Sequence, residues 1–205
     1  MHPKVKICGM TNAETIQTAI KHKVDFLGFI FYPKSPRNLS PKQAAKLTKD
    51  IPNHIGRVAV LVNETDQFIE YIKNDFDYFQ LHGNEDLKRI KEIRQKYNKK
   101  IIKVIKVTSE DSAKTYSQYG DEVDMFLFDS PAMEKSAQFP WEILSKIKIT
   151  KPYLIAGGIN IDNVDEALKL NPFGIDVSSG VEKSLGLKSN EKIIKFLNKI
   201  KNVKN

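Results

Sequence analysis

Two hundred and five residues, 40% hydrophobic and 28% charged, suffice for one soluble domain with a sizeable core and exclude a small stapled scaffold. The longest apolar runs, such as 29–32 and 125–128, fall far short of the roughly 18 residues that cross a bilayer, and residues 1–8 lack the apolar stretch of a signal peptide. No membrane span is expected, and the cytoplasm is the expected compartment. The net charge of +8 raises nucleic acid as a partner, but only four of the 33 basic residues are arginine and the lysines interleave with Asp and Glu, the pattern of a solvated face. One cysteine and four scattered histidines give no disulfide and no metal cluster.

Taken in chain order, β-rich apolar runs at 5–7, 26–30, 57–62, 78–81, 101–107, 125–128, 153–156 and 174–177 read as eight strands. Between them lie helical segments: one starting at Thr11 with Glu14 three residues on, then 42–49 behind Ser40-Pro41, 64–74, 84–97, 109–119, 140–147, 160–170 and 190–200. Eight βα units at about 26 residues each suit the compact end of a (β/α)8 barrel. The expected fold is α/β, a single TIM barrel spanning 1–205 as one domain. The competing open, doubly wound sheet wants a Gly-x-Gly-x-x-Gly turn where this chain has Cys8-Gly9-Met10-Thr11-Asn12. The Lys/Asn-rich tail, 199–205, is expected to fray.

In such a barrel the chemistry gathers at the C-terminal ends of the strands. Cys8 follows the first strand, Arg37 the second, His82 the fourth, Asp129 the sixth, Gly157-Gly158 the seventh and Ser178-Ser179-Gly180 the eighth. The glycine and serine turns let backbone N–H groups approach an anion, helped by a short helix starting near Ser179; their adjacency in the last two units favours a phosphate site over a plain turn and cap. Cys8 reads either as an inert small hydrophobe or as a base whose thiolate backbone dipoles favour. Asp129 reads either as a cap or as a general acid kept protonated by apolar walls. Arg37 has the fork that holds a carboxylate by two parallel hydrogen bonds. His82 is open between core packing and substrate contact, and Asp176 faces the mouth or the helical layer according to register.

Lys6-Ile7-Cys8-Gly9, Gly28-Phe29-Ile30-Phe31 with Ser35-Pro36-Arg37, Val62-Asn63, Gln80-Leu81-His82-Gly83, Ala156-Gly157-Gly158-Ile159-Asn160 and the run from Gly174 to Glu182 recur in this order over nearly the whole chain. Together they resemble the phosphoribosylanthranilate isomerases of tryptophan biosynthesis. The resemblance implies a cofactor-free Amadori rearrangement of a phosphorylated small molecule. Asp129 would protonate the ribose ring oxygen and Cys8 would take the proton from the second carbon. Arg37 would hold the anthranilate carboxylate, the backbone around Gly158 and Ser179-Gly180 the phosphate, and Asp176 would lie near the anthranilate nitrogen.

Two departures from the family pattern stand out. The loop after the sixth strand, 130–141, has no glycine, which predicts a stiffer or differently closing lid and reduced turnover; and Lys188 is followed by Ser189 where the family commonly has aspartate. Rival readings are another phosphosugar barrel, such as a ribulose-phosphate epimerase or thiamine-phosphate synthase, and an idle barrel that only binds a phosphorylated ligand. Compact length and charged helices favour a monomer over a homodimer.

Overall fold

Strands buried on both faces carry near-continuous apolar runs, and eight such runs pair side by side in this chain. The computed structural model describes residues 2–131 and 138–202. Its parallel strands are β1 (Lys4–Cys8), β2 (Phe26–Phe31), β3 (Gly56–Leu61), β4 (Tyr78–Leu81), β5 (Lys100–Lys106), β6 (Met125–Asp129), β7 (Tyr153–Ile155) and β8 (Gly174–Val177). They follow one another in sequence order and close, β8 pairing with β1 from Lys4↔Gly174 to Ile7↔Val177. The expected TIM barrel is the observed fold.

The helices depart further from expectation than the strands. Helix α1 (Ala13–Lys21) is capped by Asn12 rather than Thr11, the Asn12 side chain accepting from the N–H groups of Glu14 and Thr15. Helix α2 (Pro41–Thr48) carries the Ser40/Gln43 capping box, α3 (Asp66–Ile72) starts at Thr65, and α4 (Leu87–Tyr97) at Asp86. The stretch expected as one helix at 109–119 splits into α5 (Glu110–Lys114) and a 3₁₀ segment, Thr115–Glu122, interrupted at Gly120. After β6 the helix shrinks to a 3₁₀ turn, Trp141–Lys146. Helix α6 (Val164–Leu168) is short because the Asn160 side chain accepts from the N–H groups of Asp162 and Asn163, an Asx turn that competes with helix.

A hairpin that the residue pattern did not disclose, β9 (Glu182–Ser184) and β10 (Leu187–Lys188), separates β8 from α7 (Asn190–Lys201). The tail is held as far as that helix runs: Ile200 is buried, and Lys199 pairs with Asp165 at 2.7 Å and donates to the Ile161 carbonyl. Fraying therefore does not begin at 199, and 203–205 lie outside the described residues. Among the described residues no helix is long and apolar enough to cross a membrane.

Side chains alternate across each strand, so one set plugs the barrel and the other meets the helices. Phe26, Val58, Ile102, Val104, Met125, Leu127, Leu154 and Ala156 pack as the inner plug. A larger outer layer includes Leu27, Phe29, Phe79, Phe126, Phe128 and Ile175. At the opposite end from the mouth, three aspartates that precede even-numbered strands each accept a backbone N–H from the preceding odd strand: Asp25 from Val5 at 2.9 Å, Asp77 from Arg57 at 3.0 Å and Asp124 from Ile101 at 2.8 Å. Asp77 also takes the Arg57 guanidinium; burial works against its ionisation, but Arg57 outweighs that and holds its carboxyl below the usual 3.8. Stability from this group is thus present above pH 3.8 and lost as pH falls through the folded value. Asp77→Ala is expected to cost about 1–3 kcal/mol in urea melts at pH 7 and leave turnover of the folded protein unchanged, because this end of the barrel serves stability.

Candidate active site

A cavity of about 470 Å³ opens at the C-terminal rim of the barrel. Cys8, Arg37, His82, Asp129, Gly157, Gly158, Asp176, Ser178 and Ser179 all line it, so the strand ends bring together every expected site residue except Gly180. Gly180 stands behind the wall, where a side chain would come within 2.1 Å of the Ile159 carbonyl oxygen.

The floor is made by the barrel's closure. Lys6 on β1 is in register with Asp176 on β8, and both face inward because their neighbours Ile7, Ile175 and Val177 belong to the outer layer. The Lys6 ammonium, fully buried, donates to Asp176 Oδ1 at 2.9 Å and lies against the Cys8 thiol. Burial tends to strip the Lys6 proton, but Asp176 and Cys8 more than offset this and its pKa is raised. For Cys8 the expected lowering is reversed. Burial pushes the thiol above its ordinary 9.0, and Asp176 adds to this, against the pull of Lys6 and Lys188. The helix invoked to favour the thiolate begins only at Ala13.

Asp129 closes β6 with its Oδ1 accepting from the Ser130 N–H at 2.8 Å. Burial, then the Asp176 charge, push its carboxyl up from 3.8 to about 7, against that hydrogen bond and the Lys6 and Lys106 charges. His82 Nε2 is 3.9 Å from Asp129 Oδ2, too far for a hydrogen bond, and burial with the charges of Lys106, Lys6 and Lys103 pushes the imidazole down to about 4. The two therefore face each other as a neutral ring and a half-titrated acid rather than as an ion pair. Beneath the His82 turn, a buried pair braces the backbone. Lys103 donates to Glu85 at 2.8 Å and to the carbonyls of Leu81 and Gly83, and Glu85 accepts from the N–H groups of Asn63 and Gly83.

At the other side, Gly157 and Gly158 take φ of +80° and +69°, left-handed conformations that side chains rarely adopt. The Gly158 carbonyl is tied by the Asn160 and Asn163 side-chain amides at 3.2 and 2.9 Å, which orients the turn. Trp141 Nε1 donates to the Ala156 carbonyl just before it. The helix expected near Ser179 is a single 3₁₀ turn, Ser179–Val181, too short to add much of a dipole. Ser178 is held to the first strand by its Oγ donating to the Cys8 carbonyl at 3.1 Å.

Arg37 is not a solitary clamp. Its Nε and Nη2 donate to Glu182 at 2.6 and 2.8 Å, so one edge of the guanidinium fork is used internally and the Nη1/Nη2 edge is the one available as a second fork. Reading the motifs for the site left out Lys6, Gln80, Glu182 and Lys188, all buried. Gln80 lines the cavity, and its Oε1 has no hydrogen-bond partner among the described residues. A polar residue in the middle of an apolar strand, as in Val5-Lys6-Ile7 and Phe79-Gln80-Leu81, is the signal that would have found the first two. Of the two departures, Ser189 caps α7 by accepting from the Lys192 N–H, work that aspartate also does. Half of the glycine-free loop, 132–137, lies outside the described residues, and the expected effect on the lid lies there with it.

This fold and mouth belong to the class of (β/α)8-barrel isomerases. The chain is a member of the N-(5'-phosphoribosyl)anthranilate (PRA) isomerase family, whose model matches residues 5–199. It is 38% identical over 208 residues to the N-(5'-phosphoribosyl)anthranilate isomerase of Petrotoga mobilis, covering 98% of each chain. The crystal structure of phosphoribosyl anthranilate isomerase from Thermotoga maritima superimposes with a TM-score of 0.86 at 30% identity, covering 98% of this chain and 100% of that one. A phosphoribosyl anthranilate isomerase solved with reduced 1-(o-carboxyphenylamino)-1-deoxyribulose 5-phosphate superimposes at 0.83, with the same identity and coverage.

The raised Asp129 carboxyl has a thermodynamic signature. Folding binds its proton more tightly than the unfolded chain does, so its contribution is fully present below pH 3.8 and falls as pH rises through about 7. Asp129→Asn should accordingly melt above the parent protein at pH 8 and with it near pH 3.5; equal melting temperatures at pH 8 would show that the carboxyl is not held out of solvent.

Proposed function

We propose that this cavity converts N-(5-phosphoribosyl)anthranilate to 1-(2-carboxyphenylamino)-1-deoxyribulose 5-phosphate, with Asp129 as general acid and Cys8 as general base. The observation that carries the reading is a carboxyl poised near neutrality and a thiol lining one mouth, between an arginine fork and paired glycine turns. The ligand held by the solved relative supports it, because that molecule has an aryl carboxylate at one end and a phosphate at the other.

Asp129 gives its proton to the ribose ring oxygen as the bond from that oxygen to C1 breaks, leaving a protonated Schiff base between C1 and the anthranilate nitrogen. The new positive charge acidifies C2–H and favours the thiolate nearby. Cys8 removes the C2 proton, and the electron pair moves to form the C1–C2 double bond of an enolamine. Protonation at C1 by the Cys8 thiol, with the C2 hydroxyl proton passing back to Asp129, gives the ketone and resets both groups, so the net change is the C2 hydrogen moved to C1 and the C2 hydroxyl proton moved to the former ring oxygen. Lys6 steadies the thiolate while paired with Asp176; Gln80 Oε1 accepts from a sugar hydroxyl. Arg37 binds the ring carboxylate through its Nη1/Nη2 edge, and the backbone of Gly157, Gly158 and Ser179 takes the phosphate.

The reactive form has Asp129 protonated and Cys8 ionised, the reverse of their proton affinities, so it is a minor but constant fraction of the singly protonated site. From this, kcat/KM should rise with pH to about 7, where Asp129 loses its proton, and stay level until the thiol titrates above 9.0. Anthranilate-fluorescence assays of Asp129→Asn and Cys8→Ala should show kcat lowered about 10²–10⁴-fold each, with the limb at pH 7 absent from Asp129→Asn. Near-parental turnover in either variant removes that residue from its role.

For assembly, a monomer is the reading supported here, since Tyr71, Leu185 and Leu187 are the large apolar side chains left exposed among the described residues. A solved relative from Thermotoga maritima is described as dimeric, so sedimentation velocity decides: one species of single-chain mass is expected, and a doubled mass at micromolar concentration contradicts it.

A further inference from the structure

Arg37, Glu182 and Lys188 form a buried row of charges beside the cavity, and we propose that Glu182 is a positioning residue that aims the Arg37 guanidinium, making the site selective for ligands with an aryl carboxylate. This rests on the assignment of Arg37 to the ring carboxylate and extends it to a residue that does not line the cavity.

Glu182 opens the β9–β10 hairpin and is pinned from several directions. Its Oε1 accepts from Arg37 Nε at 2.6 Å and from Lys188 Nζ at 2.9 Å, and its Oε2 from Arg37 Nη2 at 2.8 Å and from the Gly186 N–H at 3.1 Å. Its own carbonyl accepts from Lys192 Nζ on α7. The side chains of Arg37, Glu182 and Lys188 are only 11, 4 and 1% exposed. Lys188 continues the row to the cavity wall, donating to the Ser178 carbonyl at 3.0 Å and to Ser178 Oγ at 3.3 Å.

Two consequences follow from this arrangement. A free arginine loses rotamer entropy on being fixed, and here Glu182 fixes it before any ligand arrives. Two cations against one carboxylate leave one net positive charge buried beside the mouth, so a ligand anion complements the row without displacing Glu182. Although burial disfavours its ionisation, Arg37 and Lys188 keep Glu182 charged, its pKa below the usual range.

Positioning and simple charge neutralisation predict opposite signs. If Glu182 merely tempered the cations, Glu182→Gln would free charge and strengthen carboxylate binding; if it aims Arg37, the same change weakens it. The experiment measures calorimetric Kd values for the reduced product analogue and for its counterpart lacking the ring carboxylate. The parent protein should prefer the carboxylate ligand about 10- to 100-fold, the scale of a charged bidentate contact. In Glu182→Gln the preference should collapse to within about threefold, with affinity for the carboxylate-free ligand kept. An unchanged or larger preference, or parallel weakening of both ligands, overturns the proposal. No preference in the parent protein overturns the Arg37 assignment itself, a result read without any variant. Should Glu182→Gln not fold, Glu182→Asp keeps the charge but shortens the reach; an intermediate preference supports aiming, and a full one refutes it.

Discussion

The Lys6–Asp176 ion pair is the contact on which the site depends. It joins the first strand to the last across 170 residues, in the register that closes the barrel, with Lys6 fully buried and Asp176 lining the floor of the cavity. Taking two charges out of water costs several kcal/mol, and removing one partner of such a pair typically costs about 3–5 kcal/mol because the other is left buried and alone. A hydrophobic pair would close the seam as well. What the ion pair adds is a fixed cation against the thiol and a fixed anion facing Asp129, so the same contact that completes the fold sets the electrostatics above it.

Those electrostatics act on the two groups proposed to transfer protons. Desolvation raises both the Asp129 carboxyl and the Cys8 thiol, and Asp176 pushes each the same way, while Lys6 opposes both. A carboxyl near neutrality is suited to giving up a proton; a thiol above 9.0 is not suited to taking one until positive charge appears beside it. The proposed chemistry supplies that charge by ring opening, which makes the base step follow from the acid step. His82, neutral and braced from below by Lys103 and Glu85, adds shape without adding charge.

The motifs that set this site were legible one at a time. Cys8, Asp129 and the Gly157-Gly158 turn announced themselves by standing at strand ends in otherwise apolar runs. The partners did not: Glu182 closed a family-like run and Lys188 preceded the departure at Ser189, but neither carried a site role, and their burial follows from a hairpin that the local pattern does not disclose. Helices were over-read for a related reason. Around Asn160 and Gly120 local side-chain hydrogen bonding or left-handed backbone overrides helical periodicity, a competition that apolar spacing does not register.

By itself the sequence determined the number and order of the barrel strands, and through them the rim on which the candidate site residues stand, because apolar runs bounded by turn residues act locally. Tertiary structure alone decided which way each of those strands faces. In strands buried on both sides, inward and outward positions carry the same kinds of side chain, so the direction of Asp176, the partner of Lys6 and the pairing of Arg37 with Glu182 had no answer until the barrel closed.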